Sequence, residues 1–148
     1  MDNKGFTVVE LIASFALTMV ITIFLFEVLI EVKDVFADTS IKTAIQQKMS
    51  IISKNIQNNL DSTVNSVSCS GNSCNINGKT LTINQSEKKI IINGQNFAMP
   101  DTVSIKDYNL NSACKGTNCY LYVSMVLDSG NLKDEYDYSV TYYYKCLA

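Results

Sequence analysis

The sequence of 148 residues contains no histidine and no arginine, and all 12 of its basic residues are lysine. Without histidine, the chain has no Ser-His-Asp triad, no Cys-His pair and no histidine ligand for a metal. Without arginine, it lacks the planar fork that binds phosphate or guanine through two parallel hydrogen bonds. A net charge of −2 also disfavours a protein dedicated to nucleic acid. The composition therefore excludes several common catalytic and nucleic-acid-binding designs.

One segment near the N-terminus holds a large share of the apolar residues. Residues 6–30 read FTVVELIASFALTMVITIFLFEVLI, and positions 11–26 carry no charge. As a helix, this segment would measure about 37 Å, enough to cross a hydrocarbon core of about 30 Å. The remaining chain is too short and too polar to enclose it. A signal peptide is disfavoured, because Val35-Phe36-Ala37 matches the A-x-A cleavage pattern poorly and the apolar run is too long. We therefore predict a transmembrane helix over 6–30. Lys4 before it favours an N-terminus on the cytoplasmic side of the membrane, with the C-terminal part of the chain, here called the head (residues 61–148), on the outer side.

Glu10 is a charged residue at the start of this apolar segment. A carboxylate near the membrane centre costs at least about 2.5 kcal/mol, so an acidic residue there suggests a function and requires a partner. No basic residue lies within the segment. The sequence therefore predicts that Glu10 interacts with a chain terminus, a lipid headgroup or another subunit.

The residues around Glu10 resemble a known processing signal. Residues 4–12, KGFTVVELI, together with the apolar helix that follows, resemble the class III signal of type IV pilins and pseudopilins. The resemblance implies that a prepilin peptidase cuts between Gly5 and Phe6, which makes residues 1–5 a leader peptide, and that Phe6 is then N-methylated. It also implies that Glu10 neutralises the N-terminal amine of a neighbouring subunit during assembly. Burying two opposite charges together avoids two separate desolvation costs.

The helical period continues through residues 31–60. One apolar stripe recurs every three or four positions, as the buried face of an amphipathic helix does, and it consists of Ile41, Ile45, Met49, Ile52, Ile56 and Leu60. The stripe predicts packing against a sheet of the same chain. A coiled coil with a partner is the alternative, although barely three heptads are present.

Residues 61–148 contain short β-branched runs separated by turn residues. Asn77-Gly78 and Asn93-Gly94 each separate two apolar runs, which is a strong hairpin signal. Further strands are predicted over 102–107, over 120–127 with alternate apolar residues on one face, and over 136–145 with Tyr136, Tyr138, Val140, Tyr142 and Tyr144 on one face. We expect an antiparallel sheet of five to seven strands with one face covered by the helix. The predicted fold class is α+β, with a long N-terminal helix packed on a C-terminal antiparallel β-sheet head, the pilin-like layout.

Five cysteines lie in the head. Cys69 and Cys74 have the same spacing as Cys114 and Cys119, and Cys146 is close to the C-terminus. A zinc site is the competing interpretation, but zinc ligands usually have shorter spacings and often include histidine. Because a head outside the cytoplasm allows disulfides to persist, we predict the bonds Cys69–Cys74 and Cys114–Cys119. Three alternatives remain open for Cys146: it is free, it forms a disulfide with another chain, or it replaces one partner of a local disulfide.

Two clusters in the head suggest further chemistry. Oxygen-bearing side chains that could hold calcium occur within ten residues, and they are Asp128, Asn131, Asp134, Glu135 and Asp137. Because they lack EF-hand spacing, a solvated hairpin turn is favoured over a calcium site. The tyrosines of the last predicted strand could stack on bases, but no basic patch surrounds them, so sheet packing is favoured over contact with nucleic acid. We predict no catalytic residue, no cofactor and no enzyme activity, because nothing supplies a nucleophile or an enclosed pocket.

The residues and the resemblance together predict a structural subunit, a minor pilin or pseudopilin of a type IV pilus-like filament. One span would hold it in the cytoplasmic membrane before assembly into a cell-surface filament. The expected partners are other pilin subunits through the N-terminal helix, the prepilin peptidase and the membrane. The alternatives are a pseudopilin that serves DNA uptake, a pseudopilin of a secretion system, and an anchored extracellular domain without a filament.

Overall fold

The computed structural model describes residues 7–60 and 64–146, so the predicted cleavage and methylation positions, Gly5 and Phe6, lie outside the described residues. The chain is an α+β protein, as predicted, and it divides into two compact units, Met1–Ala37 and Asp38–Ala148. The elements in chain order are α1 (Val8–Leu60), β1 (Val67–Ser70), β2 (Ser73–Ile76), β3 (Lys79–Asn84), β4 (Lys89–Ile92), β5 (Gln95–Ala98), β6 (Val103–Lys115), β7 (Asn118–Ser129) and β8 (Tyr136–Lys145).

Within the first unit, α1 exposes its apolar side chains. An 18-residue window of the helix has a mean hydropathy of 2.4, and none of that window is buried. Ser14, Thr18 and Thr22 each donate a hydroxyl hydrogen bond of 2.7–2.9 Å to a backbone carbonyl three or four residues earlier. These bonds satisfy the only polar groups that interrupt the apolar stretch. By length and composition, α1 is thus one helix near the N-terminus that could span a membrane.

Within the second unit, the predicted apolar stripe of α1 is buried except for Ile41, which is partly buried. Ile45, Met49, Ile52 and Ile56 are each at most 2% exposed, and they share one hydrophobic core with the strands. Because the core belongs to a single chain, packing against the chain's own sheets is confirmed for this part of the helix.

The head contains eight described strands in two antiparallel sheets, where one sheet of five to seven strands was expected. The first sheet has the order β1-β2-β3-β4-β5 and the second has the order β6-β7-β8. The two sheets are divided at Pro100, which has no N–H to donate to the hydrogen bonds between strands. Its carbonyl accepts a 2.8 Å turn hydrogen bond from the N–H of Val103. The expectation of a single sheet was therefore wrong, because the proline ends the first sheet before the next strand begins.

Both Asn-Gly hairpins are confirmed. Asn77 and Gly78 connect β2 to β3 with φ of 53° and 80°, and Asn93 and Gly94 connect β4 to β5 with φ of 50° and 80°. Two successive residues with positive φ match the right-handed twist of the strands that they join. The turn chemistry therefore fixes the register of these strands.

The two long alternating strands present the predicted faces. In β7, the alternate residues from Leu121 to Leu127 are all buried. In β8, Tyr142 and Tyr144 are buried and the other members of the predicted face are partly buried, whereas the intervening residues are exposed. The period of two thus identified the core side of both strands.

Candidate functional site

Glu10 lies in the first turn of α1 and is hydrogen-bonded to Thr7. Its Oε2 accepts hydrogen bonds of 3.0 Å from both the backbone N–H and the hydroxyl of Thr7. In return, Thr7 Oγ1 accepts a 3.3 Å hydrogen bond from the Glu10 N–H. This reciprocal arrangement is a capping box, which satisfies donors that the helix start would otherwise leave without partners.

Thr7 is a partner of Glu10 within the chain that was not predicted from the sequence. The signal was present, because a threonine three residues before a glutamate and ahead of an apolar run is the capping-box pattern. Thr7 and Glu10 are both exposed, and their neighbours Val9 and Leu11 are 74% and 63% exposed. The carboxylate therefore lies on an apolar helix surface and is accessible to a further group.

Four of the five cysteines form the two predicted disulfides. Cys69 is bonded to Cys74 and Cys114 is bonded to Cys119. The members of each pair are directly opposite one another, across β1 and β2 in the first case and across β6 and β7 in the second. Each bond therefore links the two strands of one hairpin.

Cys146 is a free, half-buried cysteine beside the second disulfide. Its Sγ lies 3.2 Å from Sγ of Cys119. Its backbone N–H donates a 3.0 Å hydrogen bond to the carbonyl of Thr117, and its backbone also pairs in parallel with Val64. The sulfurs of Cys114, Cys119 and Cys146 lie within 4.8 Å of one another, but two of them share a bond and therefore do not offer three thiolates to zinc.

A lysine of β6 lies beside the acidic cluster of residues 128–137. Lys106 is hydrogen-bonded through Nζ to Oε1 of Glu135, and the same Nζ lies 3.8 Å from Oδ2 of Asp128. The hydrogen bond to Glu135 and the two nearby negative charges raise the pKa of Lys106. An ammonium group thus occupies the space next to two of the carboxylates that a calcium ion would need.

Asp38 is a buried carboxylate that the sequence analysis did not identify. Its Oδ2 lies 2.8 Å from Nζ of Lys42, and its Oδ1 accepts a 3.0 Å hydrogen bond from the backbone N–H of Lys133. The hydrogen bonds from Lys42 and Lys133 lower the pKa of Asp38. The spacing of Asp38 and Lys42 by four residues was the available signal, since such pairs are neighbours on a helix.

Two tyrosines of β8 belong to the hydrophobic core. Tyr142 is 8% exposed and donates a 2.7 Å hydrogen bond to Oγ of Ser53 on α1, and Tyr144 is 7% exposed. Tyr143 points the other way and is 84% exposed. Sheet packing is therefore confirmed for the two buried tyrosines.

No protein-family model, no curated protein and no solved structure matches the chain. By its fold and its bonded cysteines, the chain is an α+β protein with one N-terminal helix that could span a membrane and, among the described residues, two hairpin disulfides in the head.

Proposed function

We propose that the chain is a structural subunit of a type IV pilus-like filament, a minor pilin or pseudopilin, that assembles through the first part of α1. The observation that carries this proposal is the position of Glu10, an exposed carboxylate at the N-terminal end of an exposed apolar helix surface, in which no residue of the most apolar 18-residue window is buried. Such a surface requires apolar surroundings, and a carboxylate within them requires a cation.

The lipid bilayer and a bundle of identical helices both supply apolar surroundings. Before assembly, the helix would cross the cytoplasmic membrane once with the head outside, where the two disulfides persist. In the filament, the helices of neighbouring subunits would take the place of lipid. One helix surface therefore serves both locations.

The capping box prepares Glu10 for an ion pair between subunits. Thr7 holds the carboxylate through Oε2, and an ionised carboxylate has about four lone-pair positions. It therefore retains capacity to accept a hydrogen bond from the N-terminal amine of a neighbour. In this proposal, cleavage between Gly5 and Phe6 generates that amine, and methylation of Phe6 retains its positive charge.

The subunit role is the same in a DNA-uptake or secretion filament, since both use the N-terminal helix for assembly. An anchored domain without a filament would use Glu10 only as part of the helix cap.

Two conservative variants separate the role of Glu10 in the helix cap from its role in an ion pair between subunits. Glu10→Gln removes the charge and retains the capping-box pattern, whereas Thr7→Val removes the capping hydroxyl and retains both the charge and the β-branched shape.

The experiment expresses each full-length variant in cells that contain the prepilin peptidase and the assembly machinery, and compares the membrane and sheared-filament fractions. We expect Glu10→Gln to enter the membrane but to be lost from filaments, and Thr7→Val to remain in both fractions. Mass spectrometry of the wild type should find methylated Phe6 at the N-terminus. Incorporation of Glu10→Gln at the wild-type level, or an intact Met1 in peptidase-competent cells, would contradict the proposal.

A further inference from the structure

The free thiol of Cys146 is positioned against an existing disulfide. Its Sγ lies 3.2 Å from the Sγ of Cys119, which is bonded to Cys114, and all three sulfurs lie within 4.8 Å. The hydrogen bond from Cys146 N–H to the Thr117 carbonyl and the bridge to Val64 hold the backbone of Cys146 in place. Among the described residues, the disulfide Cys69–Cys74 belongs to no such cluster of three.

We propose that the head exchanges between two disulfide pairings through this contact. The Cys146 thiol releases its proton to solvent, and the resulting thiolate attacks Sγ of Cys119. The Cys119–Cys146 bond forms, the Cys114–Cys119 bond breaks, and Cys114 leaves as a thiolate that takes a proton from solvent. The reaction starts and ends with one thiol and one disulfide. It therefore needs no oxidant and no reductant.

The exchange changes which thiol is accessible. Cys146 is half-buried, whereas Cys114 is exposed at the end of β6, next to the exposed turn that leads into β7. After the exchange, the free thiol lies on the surface. The head would thereby acquire a modification site, where a soluble thiol-reactive molecule or the disulfide of another protein can react.

The exchange also changes which strands are linked. The original bond joins residues five positions apart across β6 and β7, whereas the new bond joins residues 27 positions apart and links β7 to the residue that follows β8. A longer closed loop constrains the unfolded chain more. The exchanged head should therefore unfold at a higher temperature than the head with the original pairing.

The exchange does not depend on assembly into a filament, because it involves only cysteines of the head. The test uses the purified full-length chain in detergent micelles, incubated at about pH 8.5, where an ordinary thiol is substantially ionised, without any redox reagent. Samples are quenched with acid over time, the free thiol is tagged with N-ethylmaleimide under denaturing, mildly acidic conditions, and peptide mass spectrometry locates the tag.

We expect the tag to appear on Cys114 as well as on Cys146, at a rate that does not depend on protein concentration. A tag that stays on Cys146 at every time would overturn the proposal. A tag on Cys69 or Cys74, or a rate proportional to concentration, would also overturn it, because either result means unspecific scrambling or exchange between chains.

A pair of matched variants tests whether the product bond fits the fold. Cys114→Ser leaves Cys119 and Cys146 as neighbouring thiols, and mild oxidation should join them within one chain. The control, Cys74→Ser, leaves Cys69 and Cys146 unpaired and should retain two free thiols under the same treatment. Two free thiols in oxidised Cys114→Ser, with Cys69–Cys74 intact, would contradict the proposal even if the wild type were difficult to analyse.

Discussion

The backbone N–H of Lys133 donates a 3.0 Å hydrogen bond to Oδ1 of Asp38, a residue 95 positions earlier in the chain. The other carboxylate oxygen of Asp38 lies 2.8 Å from Nζ of Lys42. Asp38 thus connects α1 to the segment between β7 and β8. Because both contacts favour the charged form, they lower the pKa of Asp38 below its ordinary value of 3.8.

The stability of the head should therefore depend on pH through Asp38. A carboxyl group with a lower pKa in the folded state stabilises that state above its unfolded pKa, and this contribution is lost as the pH falls through the folded pKa. We expect Asp38→Asn to lower the unfolding temperature at pH 7. Below about pH 4, the unfolding temperature of this variant should fall less with decreasing pH than that of the wild type. Circular dichroism of the full chain in detergent measures both effects. The exposed Asp137→Asn is the control, and the same acid dependence in Asp38→Asn and wild type would contradict the assignment.

The buried stripe of α1 offers a comparison between two adjacent isoleucines. Ile52 is 1% exposed in the core, whereas Ile51 is 52% exposed. We expect Ile52→Ala to lower the free energy of unfolding of the head by about 3 kcal/mol, through lost burial and the cavity left behind. Ile51→Ala should change it by at most about 0.5 kcal/mol. Urea unfolding followed by near-ultraviolet circular dichroism measures the difference, and equal effects would mean that the stripe is not the packed face.

The elements predicted correctly are those that local sequence determines. The spacing of Ile45, Ile52 and Ile56 identifies a helix face because neighbouring turns of one helix place them together. Asn77-Gly78 identifies a hairpin because both residues adopt positive φ. In each case, the physical cause lies within a few residues of its effect.

The features missed by the sequence analysis depend on residues that are distant in the chain or on weak local signals. Strand β1, VSCS, and the second half of β6 are rich in serine or asparagine, so no apolar alternation marks them. The contact of Cys146 with Cys119 and the hydrogen bond of Lys133 to Asp38 join residues 27 and 95 positions apart. The first contact depends on the register of β7 with β8, and the second depends on how α1 packs against the segment between these strands. Spacing in the sequence determines neither.

The hydrogen bond of Tyr142 to Ser53 should link the second sheet to α1 energetically as well as spatially. Its length is 2.7 Å, and burial raises the pKa of Tyr142. We expect Tyr142→Phe and Ser53→Ala each to cost about 1 kcal/mol of unfolding free energy. In a double-mutant cycle, the two losses should combine to less than their sum, because they remove the same bond. The exposed Tyr143→Phe is the control, and fully additive losses would contradict an energetic role for this contact.

Tyr144 should make the head sensitive to alkaline conditions. Burial raises its pKa to about 12, and its Oη has no hydrogen-bond partner among residues 7–60 and 64–146. Because its pKa is higher in the folded head than the ordinary value of 10, ionisation of Tyr144 favours the unfolded chain, so the head loses stability as the pH rises from about 10 toward about 12. We expect Tyr144→Phe to be neutral or stabilising at pH 7 and to reduce the loss of stability above pH 10. Unfolding temperatures from pH 8 to 12 test this, and a large loss at pH 7 would show that the hydroxyl has a partner.

Lys106 should make the acidic cluster a poor calcium site. Its ammonium group is hydrogen-bonded to Glu135 and lies 3.8 Å from Asp128, whereas calcium requires six to eight oxygen ligands around a single point. We therefore expect millimolar calcium chloride to leave the unfolding temperature of the wild type unchanged, relative to sodium chloride of the same ionic strength. Lys106→Gln removes the competing cation, and the same calcium titration of this variant tests whether the lysine is the obstacle. A wild-type increase that EDTA reverses would contradict this assignment, because a ligand present at a hundred times its dissociation constant stabilises the folded state by about 2.7 kcal/mol.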